Sequence, residues 1–158
     1  MKTSADDEWI ARAVHLASES AAAEGGPFGA LVTRGDELLG QGTNRVTLDR
    51  DPTAHAELVA IRAACARVGS HALQGAVLYT SCEPCPMCLA AAWWARLDRI
   101  VYCATRQHAA AAGFDDARVY REINLPLEQR QLPLSRAQAE LAENPFRAWK
   151  DNPRRVPY

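Results

Sequence analysis

The clearest indication of fold class is the sequence AVLYTSCEPCPMCLAAAWWARLDRIVYC, residues 76–103. Short apolar runs at 76–80 and 99–103 predict two strands, and the run at 85–97 between them predicts a helix. Strand, helix and strand in this order are typical of an α/β domain whose sheet is partly parallel. Three cysteines follow the first strand, at positions 82, 85 and 88.

The segment before this stretch supplies a hairpin and two helices. Ser4 and Asp7 have the spacing of a capping box at the start of an amphipathic helix. The turn sequence RGD separates two runs that predict a β-hairpin, and Gly69 ends a second helix. The predicted elements are a helix at 4–23, strands at 28–33 and 37–44, a loop at 48–53 and a helix at about 54–68.

Beyond residue 104 the pattern weakens. Residues 108–120 predict a helix followed by a loop, and the proline-punctuated run at 125–134 predicts extended chain. A short helix is expected around 144–152. Together the segments predict one α/β domain over residues 1–158.

Composition narrows the class of function. The chain has 158 residues, 48% of them hydrophobic, and a formal net charge of −1. It contains no apolar run of the roughly 18 residues that a membrane span requires, and its first residues mix acids and bases, unlike a signal peptide. We therefore expect a cytoplasmic protein with no membrane partner. The arginines are matched by acids, which disfavours a nucleic-acid partner and favours a small substrate.

The residues His55, Cys85 and Cys88 have the chemistry of zinc ligands. His55 begins the second predicted helix, and the two cysteines lie three residues apart at the start of the third, where they share a face. Two thiolates and one imidazole leave a fourth position free, as catalytic zinc requires. A redox role for the CxxC pair is the competing interpretation, which the nearby HAE triplet disfavours.

Cys82 decides between an open and a closed metal site. As a fourth ligand it would make a closed Cys3His structural zinc. It precedes Pro84, which redirects the chain, so we expect it to lie off the helical face and to pack in the interior. Cys65 and Cys103 are likewise expected to be buried thiols.

Glu57 is the candidate catalytic acid and base. It follows the ligand His55 by two residues, so it lies near the metal without being needed as a ligand. HxE followed by PCxxC is the signature of zinc deaminases, in which a glutamate transfers protons. The alternative interpretation is that Glu57 is a solvent-exposed acid on the helix surface with no catalytic role.

These motifs resemble the cytidine deaminase superfamily, and within it the bacterial guanine deaminases. The HAE and PCxxC parts identify the superfamily, whereas AGFDD and PFRAW with a terminal tyrosine point to the guanine group. The similar stretches span nearly the whole chain: GGPFGA (25–30), DPTAHAE (51–57), LYTSCEPCPMCL (78–89), AGFDD (112–116) and PFRAW (145–149).

The resemblance implies a three-layer α/β/α sandwich with a central five-stranded mixed sheet and one zinc ion per subunit. It also implies a homodimer in which residues from about 140 to 158 cross to the partner. The substrate contacts that it implies are Phe28, Asn44, Ala56, Trp94, Asp116 and Tyr158. Asn44 has a turn-capping role as its alternative, the aromatics have a core role, and Asp115 competes with Asp116.

The function expected from these residues is zinc-dependent hydrolysis of guanine to xanthine and ammonia. The same chemistry on ammeline or another aminotriazine, on guanosine or on cytosine is the nearest alternative. A tRNA adenosine deaminase would share the metal motifs but needs a basic surface. A non-enzymatic zinc module would need Cys82 as the fourth ligand.

Overall fold

The computed structural model describes residues 4–158, which form two compact units. The first unit ends at Tyr120 and the second is Arg121–Tyr158. The first contains four strands, β1 (Gly26–Arg34), β2 (Glu37–Asn44), β3 (Val77–Cys82) and β4 (Arg99–Ala104). Its helices are α1 (Ala5–Ala22), α2 (Val46–Asp49), α3 (Ala56–Val68), α4 (Pro86–Trp94), α5 (Arg106–Ala111) and the start of α6 (Asp116–Ile123).

The strands form one mixed sheet in the order β2-β1-β3-β4. β1 pairs antiparallel with β2 and β3, and β3 pairs parallel with β4, so both the hairpin and the partly parallel sheet are confirmed. The expected fifth strand does not occur in residues 4–158, where four strands are found. After β4, Thr105 caps a helix, and Pro126 and Pro133 break the later segment into turns, because proline cannot donate a ladder hydrogen bond.

Helices pack on both faces of this sheet. α1 begins with the expected capping box of Ser4 and Asp7 and buries Ala13 against Leu31 and Tyr79. The alternate strand residues face the other way and form the larger core with α3 and α4. That core contains Ala30, Val32, Leu39, Ala60, Ile61, Ala64, Leu73, Leu78 and Ala92.

Gly42 lets α3 lie directly on β2. A Cβ atom on this glycine would come within 2.6 Å of the Ala56 carbonyl oxygen and 2.8 Å of the Ala60 nitrogen. The helix backbone therefore rests against the strand, which fixes the height at which the first turn of α3 meets the sheet edge.

Two helix boundaries differ from those expected. α4 is shorter than 85–97, because Cys85 is an extended N-cap residue and Arg96 has a φ of 57° that ends the helical turn. The short helix α2 covers residues 48 and 49 of the loop expected at 48–53. An Arg45–Asp49 ion pair at 2.7 Å joins the two ends of this helix.

The second unit consists of short elements. Leu127–Gln129 and Ala139–Leu141 are single 3-10 turns rather than the extended chain expected near the first of them, and α7 (Asn144–Asp151) confirms the last predicted helix. None of residues 121–158 is buried. Among residues 4–158, no helix has the length and hydrophobicity to cross a membrane.

Candidate active site

The three expected zinc ligands come from the N-terminal ends of two helices. His55 is the N-cap residue of α3, and Cys85 is the N-cap residue of α4. Cys88 follows in the first turn of α4 and is fully buried. Both ends therefore direct unpaired N–H groups and a positive dipole end toward the cluster, which favours thiolates.

The distances among the ligand atoms fit a tetrahedral zinc ion. Nδ1 of His55 lies 3.6 Å from Sγ of Cys85 and 3.5 Å from Sγ of Cys88, and the two sulfurs are 3.6 Å apart. Ordinary zinc–sulfur and zinc–nitrogen bond lengths give edges of about 3.5–3.8 Å in a tetrahedron. The donor set and its spacing thus match zinc, with the fourth corner left to a non-protein ligand.

The protonation of the metal-free cluster suits exchange of protons for a cation. The hydrogen bond between the two sulfurs, together with nearby His55, lowers the pKa of Cys85 to about 4. The same hydrogen bond and burial raise the pKa of Cys88. One sulfur therefore keeps its proton without metal, and binding of zinc to both thiolates releases it.

Cys82 lies outside the cluster. Among residues 4–158, the metal-binding group consists of His55, Cys85 and Cys88. The Cys82 thiol instead donates to the Thr105 carbonyl oxygen at 3.6 Å, and burial raises its pKa to about 11. The geometry is that of an open three-ligand site.

The other two cysteines do not match the expectation of burial. Cys103 is exposed and Cys65 is half-buried. Cys103 lies on β4, the edge strand of the sheet in the first unit, where a side chain has fewer neighbours than on a central strand.

Glu57 lies beside the metal ligands in a buried position. Its Oε1 accepts a hydrogen bond from the Thr80 hydroxyl at 3.1 Å, and its Oε2 lies 3.4 Å from Sγ of Cys88. The side chain is 5% exposed, and burial raises its pKa. Glu57 is therefore a buried acid held by a hydrogen bond and not an acid on the helix surface.

A cavity of about 530 Å³ opens onto the metal ligands. Its wall includes the expected residues Phe28, Asn44, His55, Glu57, Cys85 and Asp116. Asp116 lies at the start of α6, and burial raises its pKa. Asp115 instead has a side chain that is 79% exposed and lies 3.7 Å from Arg118, so the structure separates the two neighbouring acids.

Three other expected substrate contacts are not in this wall. Ala56 is fully buried as the first residue of α3, and Trp94 is 56% exposed at the end of α4. Tyr158 belongs to the second unit. The roles of these residues remain predictions.

Asn44 caps a turn and also lines the cavity. Its Oδ1 accepts the Val46 N–H at 3.3 Å, which caps the turn after β2, while the residue also lines the cavity. Gly26 makes room for it, because a Cβ there would come within 2.9 Å of the Asn44 amide.

Phe114 is a cavity residue that the sequence did not single out. Its ring packs edge-on against Phe28, with centroids 4.8 Å apart and planes at 81°. It lies inside the AGFDD segment, so the signal was the motif itself, but nothing local distinguishes a wall residue from a core aromatic.

The loop that carries Cys85 is held by an ion pair, a cation–π contact and a hydrogen bond. Arg106 pairs with Glu83 at 2.8 Å and stacks 4.3 Å from the centre of the Tyr120 ring. The Tyr120 hydroxyl donates to the Pro84 carbonyl oxygen at 2.8 Å. These contacts hold the segment between β3 and α4 in one position.

An α/β domain with an open Cys2His site and an adjacent buried glutamate defines the class of zinc-dependent deaminases. Comparison with known proteins agrees, and the chain belongs to the family described as the cytidine and deoxycytidylate deaminase zinc-binding region, which matches residues 3–104. It is accordingly a zinc-dependent hydrolase.

Similarity to individual proteins extends further along the chain. The guanine deaminase of Bacillus subtilis is 46% identical over 146 residues, covering 92% of this chain and 94% of the relative. The crystal structure of guanine deaminase from Bacillus subtilis superposes with a TM-score of 0.93 at 45% identity, over 96% and 97% of the two chains. A guanine deaminase from Nitrosomonas europaea has a TM-score of 0.67 at 33% identity, over 73% and 67%.

Proposed function

We propose that this protein hydrolyses guanine to xanthine and ammonia. The observation that carries the proposal is the extent of the similarity. The family region ends at residue 104, yet the likeness to the Bacillus subtilis guanine deaminase covers 92% of the chain and so includes the AGFDD segment on the cavity wall. The metal motifs alone are common to several substrate classes.

His55, Cys85 and Cys88 would hold the zinc ion. The chemistry that bound zinc supplies is a water whose pKa is lowered toward about 7. Three protein ligands would leave one coordination position for that water, and two of these ligands, His55 and Cys85, line the cavity. In the reaction, water adds oxygen at C2 of guanine, the bond from C2 to the exocyclic nitrogen breaks, and NH3 leaves.

Glu57 is proposed to carry the proton between these partners. Its Oε2 lies on the side of the metal ligands, 3.4 Å from Cys88, and takes the proton there. The protonated carboxyl then donates to the ring nitrogen beside C2, and the carboxylate so regenerated takes a second proton from the oxygen added at C2 and gives it to the departing amine. Burial raises the pKa of Glu57, which favours uptake of a proton by the carboxylate.

Phe28, Asn44 and Asp116 are proposed to orient the purine. Since the Asn44 oxygen already accepts the Val46 N–H, its amide nitrogen remains to donate to an acceptor on the ring. Phe28, held by Phe114, offers a ring face for stacking. Asp116 accepts from N–H groups on the purine edge.

Ala56, Trp94 and Tyr158 complete the proposed contacts. Ala56 is the first residue of α3, so its N–H has no acceptor within the helix, and we propose that this group donates to the substrate. We further propose a homodimer in which the segment from about 140 to 158 crosses to the partner, and in which Trp94 and Tyr158 serve a site shared between subunits. The packing of α1 and α3 on opposite sheet faces supports the proposed three-layer arrangement.

Ammonia release tests the substrate. The zinc-loaded protein should be assayed in parallel on guanine, guanosine, ammeline, cytosine and adenine. Guanine is expected to give the highest kcat/KM by at least tenfold, with xanthine as product. A faster reaction on one of the other bases would keep the zinc chemistry and refute the assignment of the pocket.

A further inference from the structure

The Thr80 hydroxyl holds the carboxylate of Glu57 from within the sheet. Thr80 is fully buried on β3, and its Oγ1 lies 3.1 Å from Oε1 of Glu57. A carboxylate accepts hydrogen bonds and a threonine hydroxyl has one proton to give, so Thr80 is the donor when Glu57 is ionised.

Thr80 is itself fixed on both sides. It is paired with Ala30 of β1 in one direction and with Tyr102 of β4 in the other, so its backbone lies inside the sheet rather than at an edge. A β-branched side chain has few accessible rotamers in such a place. The hydroxyl is therefore a rigid point from which to orient another group.

Glu57, by contrast, needs an external anchor. It lies in the first turn of α3, 23 residues away from Thr80 in sequence, and carries three side-chain torsions. The hydrogen bond to Thr80 occupies Oε1 and directs the other oxygen toward the metal ligands, where Oε2 lies 3.4 Å from Sγ of Cys88. Without the hydroxyl, the carboxyl would lose its one contact with the sheet through Oε1.

We propose that Thr80 is a positioning residue for the reaction, and that its hydrogen bond to Oε1 keeps Oε2 of Glu57 in place for proton transfer. This inference rests on the proposed deaminase function. Thr80 is neither one of the three candidate metal ligands nor a residue of the cavity wall. It acts through Glu57. The effect on the rate can be large, because a misplacement of a catalytic group by about 1 Å can cost on the order of a hundredfold in rate.

The test compares three variants of the full-length, zinc-loaded protein. Thr80→Val removes the hydroxyl and keeps the shape, whereas Thr80→Ser keeps the hydroxyl. Thr33→Val makes the same change at another buried threonine of the sheet, on β1. Measurements are kcat and KM for guanine, zinc content, and the crystal structure of Thr80→Val without substrate.

We expect T80V to lower kcat at least tenfold with KM changed less than twofold and one zinc per chain retained. T80S should recover kcat to within about threefold of wild type, and T33V should match wild type. In the T80V crystal structure the Glu57 carboxylate should have turned away from its position beside Cys88. If T80V does not fold, Thr80→Ala removes the hydroxyl with less bulk and carries the same test.

Wild-type kcat in T80V, an equal loss in T80V and T33V, or a loss in T80S as large as in T80V would each overturn the role of Thr80. An unmoved Glu57 in the T80V structure would overturn it as well. A wild-type protein that contains zinc yet releases no ammonia from guanine would instead contradict the proposed function, and the crystal structure would still decide whether Thr80 orients Glu57.

Discussion

Glu57 is the residue on which the proposed chemistry depends most. Replacing it with glutamine keeps the size of the side chain and removes its ability to accept a proton. We expect Glu57→Gln to lower kcat by roughly 10²–10⁴-fold, the usual contribution of general acid–base catalysis, while zinc content stays at one per chain. Glu37→Gln, at an exposed ion pair with Arg67, is the matched control and should be fully active. A fully active Glu57→Gln would refute the mechanism.

The neighbouring acids Asp115 and Asp116 allow a sharp test of substrate recognition. Only Asp116 of the two lines the cavity, whereas Asp115 lies in solvent near Arg118. Asp116→Asn turns an acceptor into a partial donor, so we expect kcat/KM for guanine to fall at least tenfold. Asp115→Asn should remain within about twofold of wild type. Steady-state kinetics measure both variants. A larger loss in Asp115→Asn than in Asp116→Asn would show that Asp115, and not Asp116, recognises the substrate.

Individual site residues can be predicted from the sequence when the chemistry allows only a few residue types at a fixed spacing. His55, Cys85 and Cys88 were recognisable because zinc accepts few residue types and because two of the three ligands lie within one helical turn. The choice between Asp115 and Asp116, and the contact between Thr80 and Glu57, depend on how distant segments pack. No local pattern contains that information.

At the scale of elements, an ionic contact joins α1 to the sheet. The Arg99 guanidinium donates to the Asp6 carboxylate at 2.7 and 2.9 Å, and the Tyr79 hydroxyl donates to it at 2.6 Å. The hydrogen bonds from Arg99 and then Tyr79 lower the pKa of Asp6 to about 2. Burial, followed by the bond to Asp6, raises the pKa of Tyr79 to about 12.

This contact predicts a pH-dependent stability. Because the folded pKa of Asp6 lies below the unfolded value of about 3.9, the carboxylate stabilises the fold fully above about pH 4. The stabilisation disappears as the pH falls toward 2. Asp6→Asn should lower the Tm by a few degrees at pH 7, and the difference from wild type should shrink between pH 4 and pH 2. Asp36→Asn, in the β1–β2 turn, is the control; a pH-independent difference for Asp6→Asn would contradict the account.

The elements were predictable where their ends carry strong signals. The capping box of α1, the turn between β1 and β2, and Gly69 with its φ of 70° after α3 all act over a few residues. The fifth strand was implied by the family resemblance alone, with no run of strand-forming residues behind it, and it is not found in residues 4–158. The exposure of Cys103 follows from the place of β4 at the sheet edge, which the local sequence does not reveal.

At the scale of the whole molecule, both units leave large apolar side chains in solvent. Trp93 is 73% exposed in the first unit, and Phe146 is 67% exposed in the second. Apolar side chains of this size are typical of protein interfaces. In line with the proposed homodimer, we expect light scattering to give about twice the 17.3 kDa chain mass. Removal of residues 140–158 should yield a monomer with reduced activity, and an active monomer of the full chain would refute the shared site.

The most direct test of the central claim is xanthine formation from guanine as a function of zinc content. The metal-free protein should be prepared with a chelator and reconstituted with zinc in steps, with bound zinc and initial rate measured at each step. We expect the rate to rise in proportion to zinc and to level off at one ion per chain. A Cys88→Ser variant should neither retain zinc nor form xanthine. Xanthine formation by the zinc-free protein, or its absence at one zinc per chain, would contradict the account.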